Sequence, residues 1–272
     1  MRLSFLYLAA ACMAASLFAC RTTAGPYAET NTRYREQADS LAMIVKRTPA
    51  ADPYYKNGRD WVGTTNFNLR KPNYVIIHHT AQNSCEQTLK TFTLPRTQVS
   101  AHYVICKDGT VYHMLNDYLR AWHAGASRWG TNTDINSASI GIELDNNGAE
   151  PFPEAQINSL MEVLARLKSS YTIPADHFIG HSDIAPGRKV DPNKTFPWQQ
   201  LAQKGYGAWY DTTNVQVPEY FDPMLALRVI GYDTRKPEYA FGSFRLHFLP
   251  NDTSRSFTDT DKKILWSLMN RQ

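Results

Sequence analysis

The chain has 272 residues, of which 43% are hydrophobic, so it can form a globular domain with a buried core and a smaller second module. This composition excludes a fibrous or wholly disordered protein. The formal net charge is +4, and no cluster of Lys and Arg is interleaved with aromatic residues, so we expect no nucleic-acid partner. Composition does not specify the oligomeric state.

The N-terminal residues predict export. Arg2 is followed by an apolar run over residues 3–19, and the letters LFAC that end at Cys20 match the pattern of a bacterial lipoprotein signal. We therefore expect residues 1–19 to be removed and Cys20 to be acylated. The acyl group would anchor the chain to the periplasmic face of the outer membrane. An uncleaved membrane anchor is the alternative, because the run approaches spanning length.

The rest of the chain divides into three segments that differ in composition and in the spacing of their apolar residues. Residues 20–59 are polar, contain proline breakers and predict a tether with a short helix over 34–45. Residues 60–210 alternate strand and helix patterns, which indicates a mixed α/β domain. Residues 211–272 predict a small all-α module, because their apolar residues group in three short helical stretches, at 227–230, 241–248 and 264–269.

Within the α/β domain, four strands and one helix are predicted. Residues 74–79 form a continuous apolar run typical of a buried strand. Residues 103–106 and 110–113 flank an Asp-Gly pair, which predicts a hairpin. Residues 139–144 complete the set of strands, and residues 153–170 carry apolar side chains at helical spacing.

The strand over 139–144 has two unlike faces. Ile140 and Ile142 alternate with Gly141 and Glu143, so one face belongs to the core while the other carries small residues around a carboxylate. Such a face leaves space beside a potentially reactive group.

Two cysteines, Cys85 and Cys106, lie outside the export segment. In an exported protein they could form a disulfide, and the sequence leaves a disulfide and two buried thiols both open. A Cys/His hydrolase is less favoured, because neither cysteine lies in a recognisable nucleophile motif.

Residues 181–192, HSDIAPGRKVDP, carry the most chemical information. Pro192 disfavours helix at Asp191, so the preceding segment is expected to be extended, with Lys189 and Asp191 on one side. A lone Lys-x-Asp would be a surface ion pair. The Pro-Gly pair upstream predicts a turn that folds His181 back toward Asp191, and a His/Asp pair is a common metal-binding combination.

The strand over 74–79 ends in His78 and His79, which must face opposite sides of a sheet, so at most one can join this site. A single strand histidine is more often a core residue. Counted with His181 and Asp191, however, it would complete three N/O ligands and leave an open position on Zn²⁺, as hydrolytic zinc requires. Glu143 would then be free to handle the proton of a water molecule.

Five ordered motifs give the chain a resemblance to zinc-dependent N-acetylmuramoyl-L-alanine amidases related to peptidoglycan recognition proteins, over residues 72–201. The resemblance implies an α/β fold with a mixed central sheet flanked by helices, and a site in a groove above the sheet. The motifs are IHHTA at 77–81, SAHY at 100–103, AWHAG at 121–125, SIGIEL at 139–144 and the stretch 181–192, followed by FPW at 196–198.

Site residues follow from the resemblance, position by position. It implies one Zn²⁺ per chain held by His78, His181 and Asp191, with Glu143 and Lys189 as catalytic residues. The implied substrate is peptidoglycan or a muropeptide, cut between N-acetylmuramic acid, or its anhydro form, and L-alanine.

Other parts of the chain carry weaker implications. In the family, the motifs that contain His102, Trp122 and His123 line or support the substrate groove, although buried core positions would look the same in sequence. Residues 213–272 resemble, more weakly, a small helical peptidoglycan-binding module, and a purely structural extension is the alternative.

Two other functions compete with the amidase interpretation. A non-catalytic peptidoglycan receptor of the same fold would be favoured by loss of a zinc ligand or of Lys189, and none is lost. A zinc peptidase acting on the stem peptide would release free peptides while the sugar remained substituted.

Overall fold

The protein is described by a computed structural model over residues 25–46 and 64–271. The predicted signal, Cys20 and residues 21–24 and 47–59 of the predicted tether lie outside these residues. Helix α1, Ala28–Lys46, is longer than the helix expected over 34–45, and none of its residues is buried. A second compact unit begins at Asn68 and holds the elements described below.

This second unit is built on a five-stranded mixed sheet with the order β3-β2-β4-β1-β5. Neighbours are parallel except β2 and β3, which form the antiparallel hairpin. The mixed α/β fold is therefore as predicted. The strands are β1 Tyr74–His79, β2 Tyr103–Ile105, β3 Val111–His113, β4 Ser139–Leu144 and β5 Phe178–Gly180.

Strands β1 and β4 have the predicted limits, whereas β2 and β3 are each one residue shorter. Cys106 and Thr110 lie in the turn instead, where the Cys106 N–H donates to the Thr110 carbonyl at 2.9 Å. Strand β5 was not predicted, because its three residues are too few for a periodic pattern and a helix follows directly.

Helices cover the sheet and continue beyond it. The predicted helix over 153–170 is confirmed one residue further along, since Pro153 occupies the N-cap. The three C-terminal helices are confirmed as well. The helices are α2 Cys85–Thr93, α3 Ile135–Ala138, α4 Glu154–Tyr171, α5 His181–Ile184, α6 Trp198–Gln203, α7 Pro223–Ile230, α8 Pro237–Phe248 and α9 Asp259–Met269, with 3₁₀ turns at Pro95–Thr97 and Ala175–His177.

The two faces of the sheet have different neighbours. Val75 and Ile77 of β1 join Ile140 and Ile142 of β4 in the core that α4 covers. The opposite face is also covered, so all six residues of β4 are buried. The alternation predicted for β4 is thus present, but its small-residue face lies under other parts of the chain and forms the floor of a site.

A disulfide joins Cys85, at the start of α2, to Cys106, at the end of β2, with 5.4 Å between the Cα atoms. It links the helix that follows β1 to the hairpin. Of the two possibilities that the sequence left open, the structure contains the disulfide. Disulfides persist mainly in oxidising compartments.

The C-terminal helices α7–α9 enclose their own apolar core, which includes Leu227, Phe244 and Leu265. Buried polar contacts connect them to the sheet unit. The Asp183 carboxylate in α5 accepts hydrogen bonds from the Tyr232 hydroxyl and from His247 Nδ1, both at 2.8 Å. Over residues 25–46 and 64–271, no helix is long and apolar enough to cross a membrane.

Replacing Tyr232 with Phe removes one donor to the buried Asp183 carboxylate and little else. We expect Tyr232→Phe to lower the free energy of unfolding by about 2 kcal/mol, because hydrogen bonds to charged groups are worth more than neutral ones. Urea denaturation measures this change. Tyr220→Phe is the control, since Tyr220 is 92% exposed, and its effect should stay within about 0.5 kcal/mol. Equal effects of the two substitutions would contradict the assignment.

Candidate metal centre

Three polar residues form a row across the carboxyl ends of parallel strands. The register pairs His78 of β1 with Glu143 of β4 on one side. On the other side it pairs Ile77 with Gly180, the last residue of β5, so His181 follows directly beside His78. Sites in α/β proteins commonly occupy this edge of a sheet.

Asp191 reaches the row from a loop. Residues 185–188 turn the chain after α5, as the Pro-Gly pair predicted, and the Ser182 N–H donates to the Asp191 carbonyl at 2.8 Å. The turn therefore folds Asp191 back onto the start of α5. Val190 is 69% exposed whereas Asp191 is 7% exposed, as expected for an extended segment whose side chains alternate in direction.

The side chains of His78, His181 and Asp191 converge at one buried point. The two Nδ1 atoms are 2.9 Å apart, and Asp191 Oδ2 lies 3.1 Å from His78 Nδ1 and 3.0 Å from His181 Nδ1. His79 faces the other side of the sheet, where its Nδ1 accepts the Asn193 N–H at 3.0 Å. The structure thus brings His78 into the site and not His79.

The proton positions of these ligands fit a cation. His181 Nε2 lies 3.1 Å from the Ala124 carbonyl, which can only accept, and 3.3 Å from Arg188 Nη2; a proton on Nε2 satisfies the shorter contact and directs the Nδ1 lone pair inward. Burial and the neighbouring His181 lower the pKa of His78 to about 4, so the His78 ring is neutral at pH 7. Two imidazole nitrogens and a carboxylate are a ligand set typical of zinc, and these three residues could hold a metal ion.

Glu143 lies beside the cluster without belonging to it. Its Oε1 is 4.0 Å from His78 Nδ1, and its buried Oε2 has no hydrogen-bond partner among the described residues. Burial and the charge of Asp191 raise the pKa of Glu143 to about 8, against the opposing effect of Lys189. A carboxyl group with a pKa near neutrality can both take up and release a proton at physiological pH.

Lys189 is half-buried and stands two residues before Asp191. Its positive charge acts on the site, because it lowers the pKa values of both Glu143 and His78. The arrangement therefore combines a candidate metal cluster, a carboxyl group with an unpaired oxygen and a nearby cation.

The three residues assigned to the substrate groove have different environments. His102 is fully buried, and its two ring nitrogens meet the Gly141 N–H and the Leu119 carbonyl, which fits a residue that supports the groove or packs in the core; its role at the groove stays a prediction. His123 is buried next to His78, at 3.0 Å between ring nitrogens. Trp122 is 52% exposed, and its place in a groove stays a prediction.

Two further residues hold the loop around His123 and were not assigned from sequence. The Asn136 side-chain oxygen accepts the N–H groups of His123 at 3.1 Å and of Ala124 at 2.9 Å. Arg188 donates to the carbonyls of Ala124 and Ala126. Arg188 lies inside the informative stretch 181–192, but nothing in its spacing indicated which loop it would hold.

Comparison with known proteins agrees with this geometry. Residues 68–194 match the family described as N-acetylmuramoyl-L-alanine amidase. The N-acetylmuramoyl-L-alanine amidase AmiD of Escherichia coli (strain K12) is 34% identical over 208 residues, which are 65% of this chain and 74% of AmiD. This chain belongs to the N-acetylmuramoyl-L-alanine amidase family. It is accordingly an enzyme of the amide hydrolase class.

Solved structures place the amidase in the same fold as two relatives. AmiD from E. coli, in complex with the substrate anhydro-N-acetylmuramic acid-L-Ala-D-γ-Glu-L-Lys, aligns with a TM-score of 0.67 and 29% identity over 78% of this chain and 93% of AmiD. AmpDh3 from Pseudomonas aeruginosa, in complex with anhydromuramic pentapeptide, aligns with a TM-score of 0.66 and 27% identity over 80% of this chain and 96% of AmpDh3.

Single alanine substitutions test the metal centre of the amidase. His78→Ala, His181→Ala and Asp191→Ala should each lose bound metal, because two ligands from a buried set of three do not hold an ion tightly. Elemental analysis of purified protein measures this. His79→Ala is the matched control on the same strand and should retain the metal. The ligand assignment on β1 is wrong if His79→Ala loses the metal while His78→Ala keeps it.

Proposed function

We propose that this chain is a zinc-dependent amidase that hydrolyses the bond between N-acetylmuramic acid, or its anhydro form, and L-alanine in peptidoglycan or muropeptides. The convergence of His78, His181 and Asp191 next to an unpaired Glu143 carboxyl oxygen carries the proposal. The anhydromuramyl peptides bound to the similar structures of AmiD and AmpDh3 support this class of substrate.

In this proposal His78, His181 and Asp191 would hold one Zn²⁺ per chain. Zinc in such a site supplies Lewis acidity, which polarises a carbonyl group and lowers the pKa of water. The two histidines come from β1 and from the residue directly after β5, so the sheet fixes their relative positions, and the Ser182–Asp191 backbone hydrogen bond brings in Asp191 from the following loop.

Glu143 moves the proton. Its unpaired oxygen takes a proton from the attacking water as the new C–O bond forms at the amide carbon. The same carboxyl group then returns that proton to the nitrogen of L-alanine as the C–N bond breaks. A pKa raised by burial suits both steps, because the protonated and ionised forms are both accessible near neutral pH.

Lys189 stabilises charge. Negative charge develops on the carbonyl oxygen during attack, and a fixed cation beside the site stabilises it more than it stabilises the neutral ground state. Lys189 lies in the segment that also delivers Asp191, which supports this role. A receptor without catalysis would not need either Lys189 or Glu143, so their presence favours the enzyme.

Product analysis tests the proposed function. Incubation of the zinc-loaded protein with sacculi and with an anhydromuropeptide should release stem peptides whose N-terminus is L-alanine, detected by mass spectrometry. Glu143→Gln should keep zinc but lose about 10²–10⁴-fold in rate. Lys189→Ala should keep zinc and lose about 10²–10³-fold. Lys194→Ala, at an exposed lysine of the same loop, should cleave at the wild-type rate.

Other product patterns would support the competing functions. Free peptides with the sugar still substituted would identify a stem-peptide peptidase. Binding to peptidoglycan without release of any stem peptide, at full zinc loading, would identify a receptor.

We also propose that the enzyme is a lipoprotein on the periplasmic face of the outer membrane, anchored through Cys20. The disulfide between Cys85 and Cys106 supports an exported location. In bacterial cells, wild-type protein should incorporate labelled fatty acid and sediment with membranes, whereas Cys20→Ala should be unlabelled and released. Cys12→Ala is the control and should remain labelled. Recovery of the wild-type protein entirely in the soluble fraction would contradict the anchor.

A further inference from the structure

A line of hydrogen bonds leads from the metal centre to a backbone carbonyl. His78 Nε2 lies 3.0 Å from His123 Nδ1, and His123 Nε2 lies 3.1 Å from Ser139 Oγ. The Ser139 hydroxyl in turn donates to the Ile135 carbonyl at 2.6 Å. All the side chains in this line are buried, so water does not compete for them.

The Ile135 carbonyl at the end of this line determines which nitrogen or oxygen carries each proton. A carbonyl oxygen only accepts, so it takes the single hydroxyl proton of Ser139, whose oxygen can then only accept from His123 Nε2–H. A neutral His123 ring with its proton on Nε2 presents a lone pair at Nδ1. The His123 Nδ1 lone pair accepts a hydrogen bond from His78 Nε2–H. His78 Nδ1, which faces His181 and Asp191, therefore carries no proton.

We propose that Ser139 and His123 are positioning residues that hold His78 in the tautomer whose Nδ1 lone pair faces the metal. The proposal rests on the proposed zinc site. It assigns a role to His123 and to Ser139, neither of which touches the metal ligand cluster except through His78.

The opposite tautomer of His78 would place a proton on the nitrogen that has to bind the metal. If His123 carried its proton on Nδ1, His78 would have to accept at Nε2 and keep its own proton on Nδ1. That proton would point at His181 Nδ1, 2.9 Å away, and at Asp191. It would have to be removed before the nitrogen could bind a metal, so metal affinity would fall.

The residues packed around His123 leave a space that the imidazole ring fills. A Cβ atom at position 141 would lie 2.5 Å from His123 Cγ, so only glycine on β4 leaves room for it. Asn136 holds the backbone of the same loop. The second ligand, His181, contacts a backbone carbonyl, that of Ala124, directly through Nε2.

Zinc affinity is the first measurement. Competition with a chromophoric chelator should show that Ser139→Ala and His123→Phe raise the zinc dissociation constant by about 10–100-fold, the range typical for loss of a ligand's outer partner. Ser137→Ala is the matched control. It removes a hydroxyl two residues before Ser139 that donates to Asp134 and accepts from Arg120 rather than from His123, so the zinc affinity of this variant should equal that of the wild type.

The second measurement reads the tautomer directly and needs no metal. In chelator-treated protein, ¹⁵N chemical shifts of the imidazole nitrogens should place the His78 proton on Nε2 in the wild type and in Ser137→Ala. In Ser139→Ala a population with the proton on Nδ1 should appear. A change in stability alone would not move these shifts.

The outcomes separate this proposal from the function on which it rests. Wild-type protein that binds no zinc would defeat the proposed function. Wild-type zinc binding together with unchanged affinity in both variants would defeat the positioning role of Ser139 and His123. A wild-type His78 protonated on Nδ1 would defeat it as well, whatever the affinities.

Discussion

The parallel pairing of β1 with both β4 and β5 is the constraint on which the site depends. Parallel strands end at the same edge of a sheet, and the register brings Glu143 and His181 level with His78. A shift by one residue would turn His78 toward the α4 core and His79 toward the ligands. The apolar alternation of β4 opposes that shift, because it directs Ile140 and Ile142 to the α4 core and leaves Gly141 and Glu143 on the other face.

Polar groups on the face of the sheet opposite α4 lower the free energy of unfolding, but the proposed chemistry needs them. The unpaired oxygen of Glu143 costs about 1–3 kcal/mol of unfolding free energy through lost solvation. The same burial raises the pKa of Glu143. The apolar core on the opposite face, under α4, offsets this cost, so one side of the sheet supplies stability and the other supplies chemistry.

Sequence patterns predicted the elements that show regular apolar spacing or that are bounded by turn residues. The limits of β1 and β4, the hairpin and α4 all follow from periodicity or turn residues, and the turn before Asp191 follows from a Pro-Gly pair. The patterns missed β5, which is too short to repeat, and they left the choice between His78 and His79 to a family resemblance. The burial of His102 and the contacts of Arg188 depend on tertiary packing, which no local pattern encodes.

Asp183 links the C-terminal helices to the segment that carries His181. It lies in α5, two residues after His181, and two of its hydrogen-bond donors, Tyr232 and His247, come from beyond residue 230. Without these helices, the Gly180 N–H would be the one remaining hydrogen-bond donor to this carboxylate among the described residues. Truncation before residue 223 would therefore alter the surroundings of His181 as well as the outer surface.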